Sequence, residues 1–522
     1  MRRRTPGPPH RHRHQADCTN KGLSGFIARR WKCSEQWGRR RLEILTETAL
    51  SRLELPGYMI VFLKCFPASV CCLLPLFAFV SWASAAERPN ILVLMADDWS
   101  WPHAGALGDK TVKTPTFDKL VREGVLFERA FVSSPSCTPS RMAIATGQWH
   151  WRLGEAQNLG GSLAKEVPTY ADLLAATGYH TGFSRKGASP SKHTYRGTDP
   201  FGPRFKNFES FLAERKKDTP FCFCYGSGAP HRPYVLNSGK ATGLKTEGIA
   251  LPPGLPDHPT VRNDLLDYYA AVQLFDREAQ DILAQLKNKG ELENTIIVMS
   301  GDNGMPFPRA KATLYDTGTR VPLVIRWAKQ VKAGRKVSDF VSLCDLAPTF
   351  LEAARLAVPK AMSGRSLFPQ LKAKRSGHID AERDHVLTGM SRHCFPYPRK
   401  ALRTERFLYV RNKNPKNWIT GRRKGPPQTF DFSKRHWPKG AEAFCFNVDP
   451  SPTKQYMLTH PDDPSVKAVW PQAFGPYPPE ELYDLQKDPD QISNLAHDSK
   501  SAEDLQIIRS RLDELWKVTS NF

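Results

Sequence analysis

The chain reads as an α/β protein with a central, mostly parallel sheet and a smaller C-terminal unit. Three observations carry that reading. Its 522 residues exceed the length at which one hydrophobic core stops growing. Two apolar runs, Asn90 to Ala96 and Thr295 to Ser300, lack polar alternation, as strands covered on both faces require. Helical and extended segments alternate between those two runs, the pattern of a layered parallel sheet.

The elements follow in order. Past the first strand, Cys137-Thr138-Pro139-Ser140-Arg141, with Thr146-Gly147 after four more residues, reads as a helix. Pro139 suits its first position and Gly147 its stop. Tyr170 to Thr177 is expected helical, and Gly178 to Phe183 and Pro220 to Tyr225 extended. Within the latter, Cys222-Phe223-Cys224 alternates, which sets both thiols on one face of a buried strand rather than at a metal. Leu265 to Lys287 has helical apolar spacing and ends at Gly290. After Ala373 the pattern loosens into charged and Pro-rich stretches with short strands such as Phe407 to Val410. Ala502 to Lys517 is a closing helix with Leu505, Ile508, Leu512 and Leu515 on its packing side. No internal repeat is visible.

The N-terminal region differs from the rest. Residues 1–58 hold 13 Lys/Arg against 5 Asp/Glu and a His/Arg run at His10 to His14, which could form a basic arm for nucleic acid or a membrane surface. From Met59, however, the chain runs Met-Ile-Val-Phe-Leu-Lys, then apolar from Cys65 to Val80, then Ala83-Ser84-Ala85-Ala86, the layout of a secretory signal. Residues 1–58 are therefore expected to be a non-native extension and 59–86 a signal peptide. The alternative is a retained signal anchor, although the apolar run is shorter than a span of about 20 residues. Export to the periplasm or outside the cell is expected, with no stable membrane insertion after cleavage and no nucleic-acid partner. Five of the eleven cysteines precede the cut. The remaining six, Cys137, Cys222, Cys224, Cys344, Cys394 and Cys445, are too few for a disulfide scaffold in a domain this large.

Chemistry in such sheets collects at the carboxyl ends of strands. Asp97-Asp98 follows the first strand and Asp302-Asn303-Gly304 follows Thr295 to Ser300. Alone, the first pair could cap a helix and the second could be a turn of residues that tolerate left-handed backbone. Together they offer hard oxygen donors suited to Ca²⁺ or Mg²⁺ and poorly suited to zinc. Cys137 at a helix start faces free N–H groups and the positive end of the dipole, which binds anions and activates a thiolate. A buried small hydrophobe is the alternative for an isolated cysteine. Arg141 lies one turn on, on the same helix face.

Cys-x-Pro-Ser-Arg-x4-Thr-Gly resembles the signature of the type I sulfatases, in the alkaline phosphatase superfamily. Leu343 to Leu351, Gly364 to Leu367 and Glu480 to Leu485 resemble further landmarks of that family in the same order. The resemblance implies an alkaline-phosphatase-like catalytic domain over 87–373 and a C-terminal α+β subdomain with an antiparallel sheet over 374–522. It implies that Cys137 is converted to formylglycine by a maturation enzyme. It also implies that Asp97, Asp98, Asp302 and Asn303 hold Ca²⁺, rather than Mg²⁺, against residue 137. Arg141, Lys186, His231 of Pro230-His231-Arg232-Pro233 and Lys311 would contact sulfate or the leaving group. One departure is Ala188, where many members carry a histidine two residues after the lysine; Arg185 before it is also unusual. His180, His193 and His393 are candidate substitutes, and spacing selects none of them.

Gly304 to Pro308 and Pro230 to Pro233 look like the heparan N-sulfatase (sulfamidase) branch, which implies an N-sulfoglucosamine leaving group. Removing residues 1–58 and Lys64 from the net charge of +23 leaves about +14, which suits a polyanionic carbohydrate. A phosphomonoester or phosphonate hydrolase of the same superfamily, and a non-catalytic protein that binds sulfated glycans, are the other readings.

Overall fold

A computed structural model describes residues 88–413, 431–432 and 447–520. The expectations for residues 1–58, for the 59–86 signal and for Cys445 lie outside the described residues. Among the described residues the first sheet holds β1 (Asn90–Ala96), β2 (Val125–Phe131), β3 (His180–Arg185), β4 (Arg204–Phe205), β5 (Phe221–Gly226), β6 (Thr295–Gly301), β7 (Leu323–Arg326) and β8 (Arg335–Ser342). Their order is β4-β3-β5-β1-β6-β7-β2-β8. β7 runs antiparallel to both of its neighbours, and the other pairings are parallel. The mostly parallel sheet is therefore present, and the carboxyl ends of β1, β2, β3, β5 and β6 share one edge.

Alternation explains the layers. Ile91, Val93 and Met95 of β1 join Cys222, Cys224, Ile296 and Val298 in a core under the helices Cys137–Thr146, Tyr170–Ala176 and Leu346–Ala353. Leu92, Leu94, Phe221, Phe223, Ile297 and Met299 face the opposite core, covered by Pro115–Glu123 and the long helix Pro259–Asn288. Both strand thiols thus share one face. The long helix begins six residues ahead of its apolar stripe: Pro259 occupies the first turn and His258 accepts the Thr260 N–H at 3.2 Å.

The second sheet, β9 (His385–Arg392), β10 (Pro396–Thr404), β11 (Phe407–Asn412) and β12 (Glu480–Asp484), is antiparallel throughout. On one face Leu387, Leu402, Tyr409 and Leu482 pack against Leu505, Ile508 and Leu512 of the helix Ala502–Ser520. Each such side chain contributes about 1.5–3 kcal/mol by leaving water. The other face, with Met390, Tyr397, Ala401, Leu408, Val410 and Tyr483, closes over Ala312, Leu314 and Tyr315. Buried Glu481 accepts the hydroxyls of Tyr315 at 2.6 Å and Tyr483 at 2.9 Å. The segment that carries Lys311 is thereby clamped to the second sheet.

Candidate active site

The helix Cys137–Thr146 starts at Cys137 itself, after extended Ser136, and ends at left-handed Gly147. Pro139 is its third residue and not its first; a residue there still needs no intrahelical N–H bond, so the ring is tolerated. The helix start brings Cys137 Sγ to 3.4 Å from Asp97 Oδ1 and 3.9 Å from Asp98 Oδ1. The expected thiolate activation is overturned. Burial, and after it the Asp97 carboxylate, push the Cys137 thiol well above its ordinary range. Partial charges at a helix end do not offset full desolvation beside two carboxylates.

The three carboxylates meet. Oxygens of Asp97, Asp98 and Asp302, all buried, lie within 4.8 Å of one another. Asp97 Oδ2 takes a close ion pair from Lys186, which stands just past β3. Burial opposes the ionised Asp97, yet Lys186, His231, Arg141 and Lys311 hold its carboxyl well below the usual range. Asp98 sits in left-handed backbone (φ 74°), and its Oδ2 accepts from Lys311 Nζ at 2.8 Å. Burial pushes the Asp98 carboxyl up, with Lys311 and His231 opposing. Burial likewise opposes the Lys311 ammonium, but Asp449 and Asp98 outweigh it and hold the group well above its usual range.

Asp302 is held from two directions: its Oδ1 accepts the Asp98 N–H at 2.9 Å and its Oδ2 accepts Arg141 Nε at 2.6 Å. Arg141 also donates to Ala96 O at 3.4 Å, Lys186 O at 3.2 Å and Gly187 O at 3.1 Å, so it ties together the ends of β1, β3 and β6. Both Arg141 and Asp302 have fully buried side chains. Asn303 donates Nδ2 to Asp98 Oδ1 at 2.7 Å and to Gly304 O at 2.9 Å. Its buried Oδ1 has no hydrogen-bond partner among the described residues. Half-buried His231 places Nε2 3.9 Å from Asp98 Oδ2 and faces Arg232 O through Nδ1 at 2.5 Å. Arg232 fixes that loop by a two-pronged pair with Asp264 at 2.7 and 2.8 Å.

The turn reading of Asp302-Asn303-Gly304 gives way to another cause. None of the three is left-handed; the left-handed residue here is Asp98. Gly304 is required because an added Cβ would lie 2.0 Å from Thr317 O. Gly304→Ala is expected to destabilise by about 1–3 kcal/mol, as overpacking does, and urea denaturation checks it.

Two residues here carried no sequence signal as a pair. Asp449 Oδ2 lies 3.1 Å from Lys311 Nζ. Buried His393 bonds Ser136 Oγ through Nδ1 at 2.8 Å, and burial, then Lys311, push it down to about 3. Of the three candidate histidines, His393 is thus the one set among Lys311, Asp449 and His231. His180 stacks on Phe211 and bonds its carbonyl, and His193 pairs with Asp199, which accepts the Ala188 N–H.

The family described as Sulfatase matches residues 89–201 and 203–356, more than half of the chain. The chain belongs to the sulfatase family. This sulfatase is a sulfuric ester hydrolase, with the mostly parallel sheet and the separate antiparallel sheet that the resemblance implied. A second family description, N-sulphoglucosamine sulphohydrolase, C-terminal, matches residues 309–418. An ulvan-active sulfatase of Formosa agariphila is 29% identical over 481 residues, covering 82% of this chain and 74% of the relative. Human N-sulphoglucosamine sulphohydrolase is 27% identical over 501 residues, covering 85% of this chain and 93% of the relative. Among solved structures, a protein in complex with its substrate D-glucosamine-2-N,6-O-disulfate superposes with TM-score 0.60 at 19% identity, covering 83% of this chain and 98% of that one. The phosphonate monoester hydrolase of Agrobacterium radiobacter gives 0.59 at 18% identity, covering 83% and 96%. At those identities the two superpositions speak to the fold alone.

Proposed function

We propose that this sulfatase releases sulfate from a sulfated carbohydrate with an N-sulfoglucosamine group, using a formylglycine made from Cys137 and a bound Ca²⁺. The observation that carries it is the meeting of Cys137 with three buried carboxylates and the cations Arg141, Lys186 and Lys311 in one cluster. The donor set fits a hard cation better than zinc, because it consists of carboxylates and the orphaned amide oxygen of Asn303. Asp97, Asp98, Asp302 and Asn303 would hold the ion beside residue 137, and Ca²⁺ is favoured over Mg²⁺ because it accepts crowded carboxylates without octahedral geometry. When bound, the ion would neutralise the carboxylates and polarise the attacking oxygen. Converted residue 137 would supply that oxygen as a hydrated aldehyde, which meets the difficulty that the native thiol stays protonated.

Lys186, Lys311 and His231 would bind the sulfate oxygens, with Lys311 Nζ supplying a fixed positive charge for the leaving atom. Arg141 would act as a positioning residue through Asp302. Support for the substrate comes from the human relative, named for N-sulphoglucosamine and matched over most of its length, and from the second family match. We extend the reading to the chain's organisation: 87–373 catalytic, 374–522 a C-terminal subdomain, export through 59–86, and maturation by a formylglycine-generating enzyme. No helix among the described residues is long and apolar enough to cross a membrane.

Sulfate release from defined N-sulfated and O-sulfated glucosamines, sulfated ulvan fragments and matched phosphate esters tests the proposal. Release from the N-sulfated sugar is expected. A kcat/KM that favours phosphate would move the assignment to a phosphomonoester or phosphonate hydrolase, and no turnover with Cys137 unconverted would point to glycan binding. Exhaustive chelation is expected to remove at least about a hundredfold of the activity, by analogy with loss of an oxyanion donor, and Ca²⁺ is expected to restore it. Unchanged activity in chelator would defeat the metal assignment.

A further inference from the structure

The cluster offers a second donor set that the oxygen-only calcium site leaves out. Cys137 Sγ, a carboxylate oxygen of Asp97 and a ring nitrogen of His231 all lie within 4.8 Å of one another. The first two are 3.4 Å apart. In tetrahedral zinc, with Zn–S near about 2.3 Å and Zn–O near about 2.0 Å, sulfur and oxygen stand about 3.5 Å from each other. In the metal-free chain this contact is the Cys137 S–H···Oδ1 hydrogen bond, and its length matches the ligand spacing, so an ion can take the proton's place with little movement of either atom. Lys186 pairs with the other oxygen, Asp97 Oδ2, so Oδ1 is the one turned to the thiol.

His231 supplies an independent sign of a metal ligand. Its Nδ1 stands 2.5 Å from the Arg232 carbonyl oxygen, and its Nε2 lies on the Asp98 side, 3.9 Å from Oδ2. A backbone carbonyl on the far nitrogen is the outer contact that metal-bound histidines characteristically make.

We propose that the chain with residue 137 still a thiol binds one Zn²⁺-class ion through Cys137 Sγ, His231 Nε2 and Asp97 Oδ1. Binding forms a metal–sulfur bond while the S–H proton passes to solvent, so uptake releases one proton. The resulting thiolate, with Asp97, Asp98, Asp302 and Asp449, outnumbers Arg141, Lys186 and Lys311 by two formal charges, which favours a dication. Sulfur and imidazole select zinc over calcium. Oxidation of residue 137 to an aldehyde removes the soft donor, so the chemical state of this side chain decides which class of metal the cavity prefers. The site shares Asp97 with the calcium reading and rests on that reading only for this contrast.

The test uses the full chain produced in a host without a maturation enzyme, with Co²⁺ as probe. A thiolate-to-cobalt charge-transfer band is expected in the near ultraviolet, displaced by about one equivalent of Zn²⁺ and absent in Cys137→Ser. His231→Ala is expected to weaken Co²⁺ binding by more than the roughly 10–100-fold that loss of an outer contact causes. Circular dichroism verifies the fold of both variants. Should either misfold, calorimetric titration of the wild-type chain with Zn²⁺ in two buffers of different ionisation enthalpy, read for one equivalent bound and one proton released, replaces it. A missing band, a band that survives in folded Cys137→Ser, or zinc uptake without proton release overturns the site. Sulfate release by the matured enzyme is measured separately, so active mature protein without zinc binding in the thiol form sinks this inference and leaves the function standing.

Discussion

Cys137→Ala is expected to lower kcat by roughly 10⁴-fold or more, the scale on which removing a nucleophile acts, and to leave the fold intact. The site explains both halves. Residue 137 contributes a small side chain to a helix start whose packing runs through Met142, Ile144 and Ala145, so its loss costs little core. Of the adjacent serines, Ser136 Oγ bonds His393 Nδ1 at 2.8 Å and Ser140 Oγ donates to Asp302 O at 2.5 Å. Steady-state sulfate release with circular dichroism checks the outcome. Turnover retained within tenfold of wild type, a margin of about 1.4 kcal/mol in barrier height, would remove residue 137 from the mechanism.

Arg141→Met is expected to destabilise the protein by about 3–5 kcal/mol, because it strands the Asp302 carboxylate beside Asp97 and Asp98 with no water to reach it. The contrast is the surface pair Lys119–Glu123, 3.8 Å apart with side chains 56% and 38% exposed. Lys119→Met is expected to change stability by less than about 0.5 kcal/mol, since solvent screens that pair. Urea denaturation of the two variants side by side separates the cases. A near-neutral Arg141→Met would mean that the Arg141–Asp302 pair does not hold the cluster together.

Much of this arrangement was legible in sequence because the groups that matter are anchored to regular elements. Asp97-Asp98 and Asp302-Asn303 end strands β1 and β6, which are neighbours in the sheet, so two buried apolar runs announced where they would meet. Cys137 and Arg141 share one helix face, and the local spacing showed it. What could not be read has physical causes. The thiol's protonation depends on desolvation and on carboxylates 39 and 40 residues away, which no local pattern records. The left-handed backbone at Asp98 was hidden because Asp-Asn-Gly offered a better turn signature nearby. Asp449 and His393 lie outside any apolar period, and tertiary contact alone joins them to Lys311.

The clamp between the second sheet and Ala312, Leu314 and Tyr315 makes Lys311 a remote dependant of that sheet. Damage to Tyr483 or Glu481, in strand β12, would loosen Tyr315 and with it the ammonium that meets Asp98. Lesions there would first register as poor catalysis in a protein that still folds, because the tether to the reacting centre gives way before the parallel sheet does.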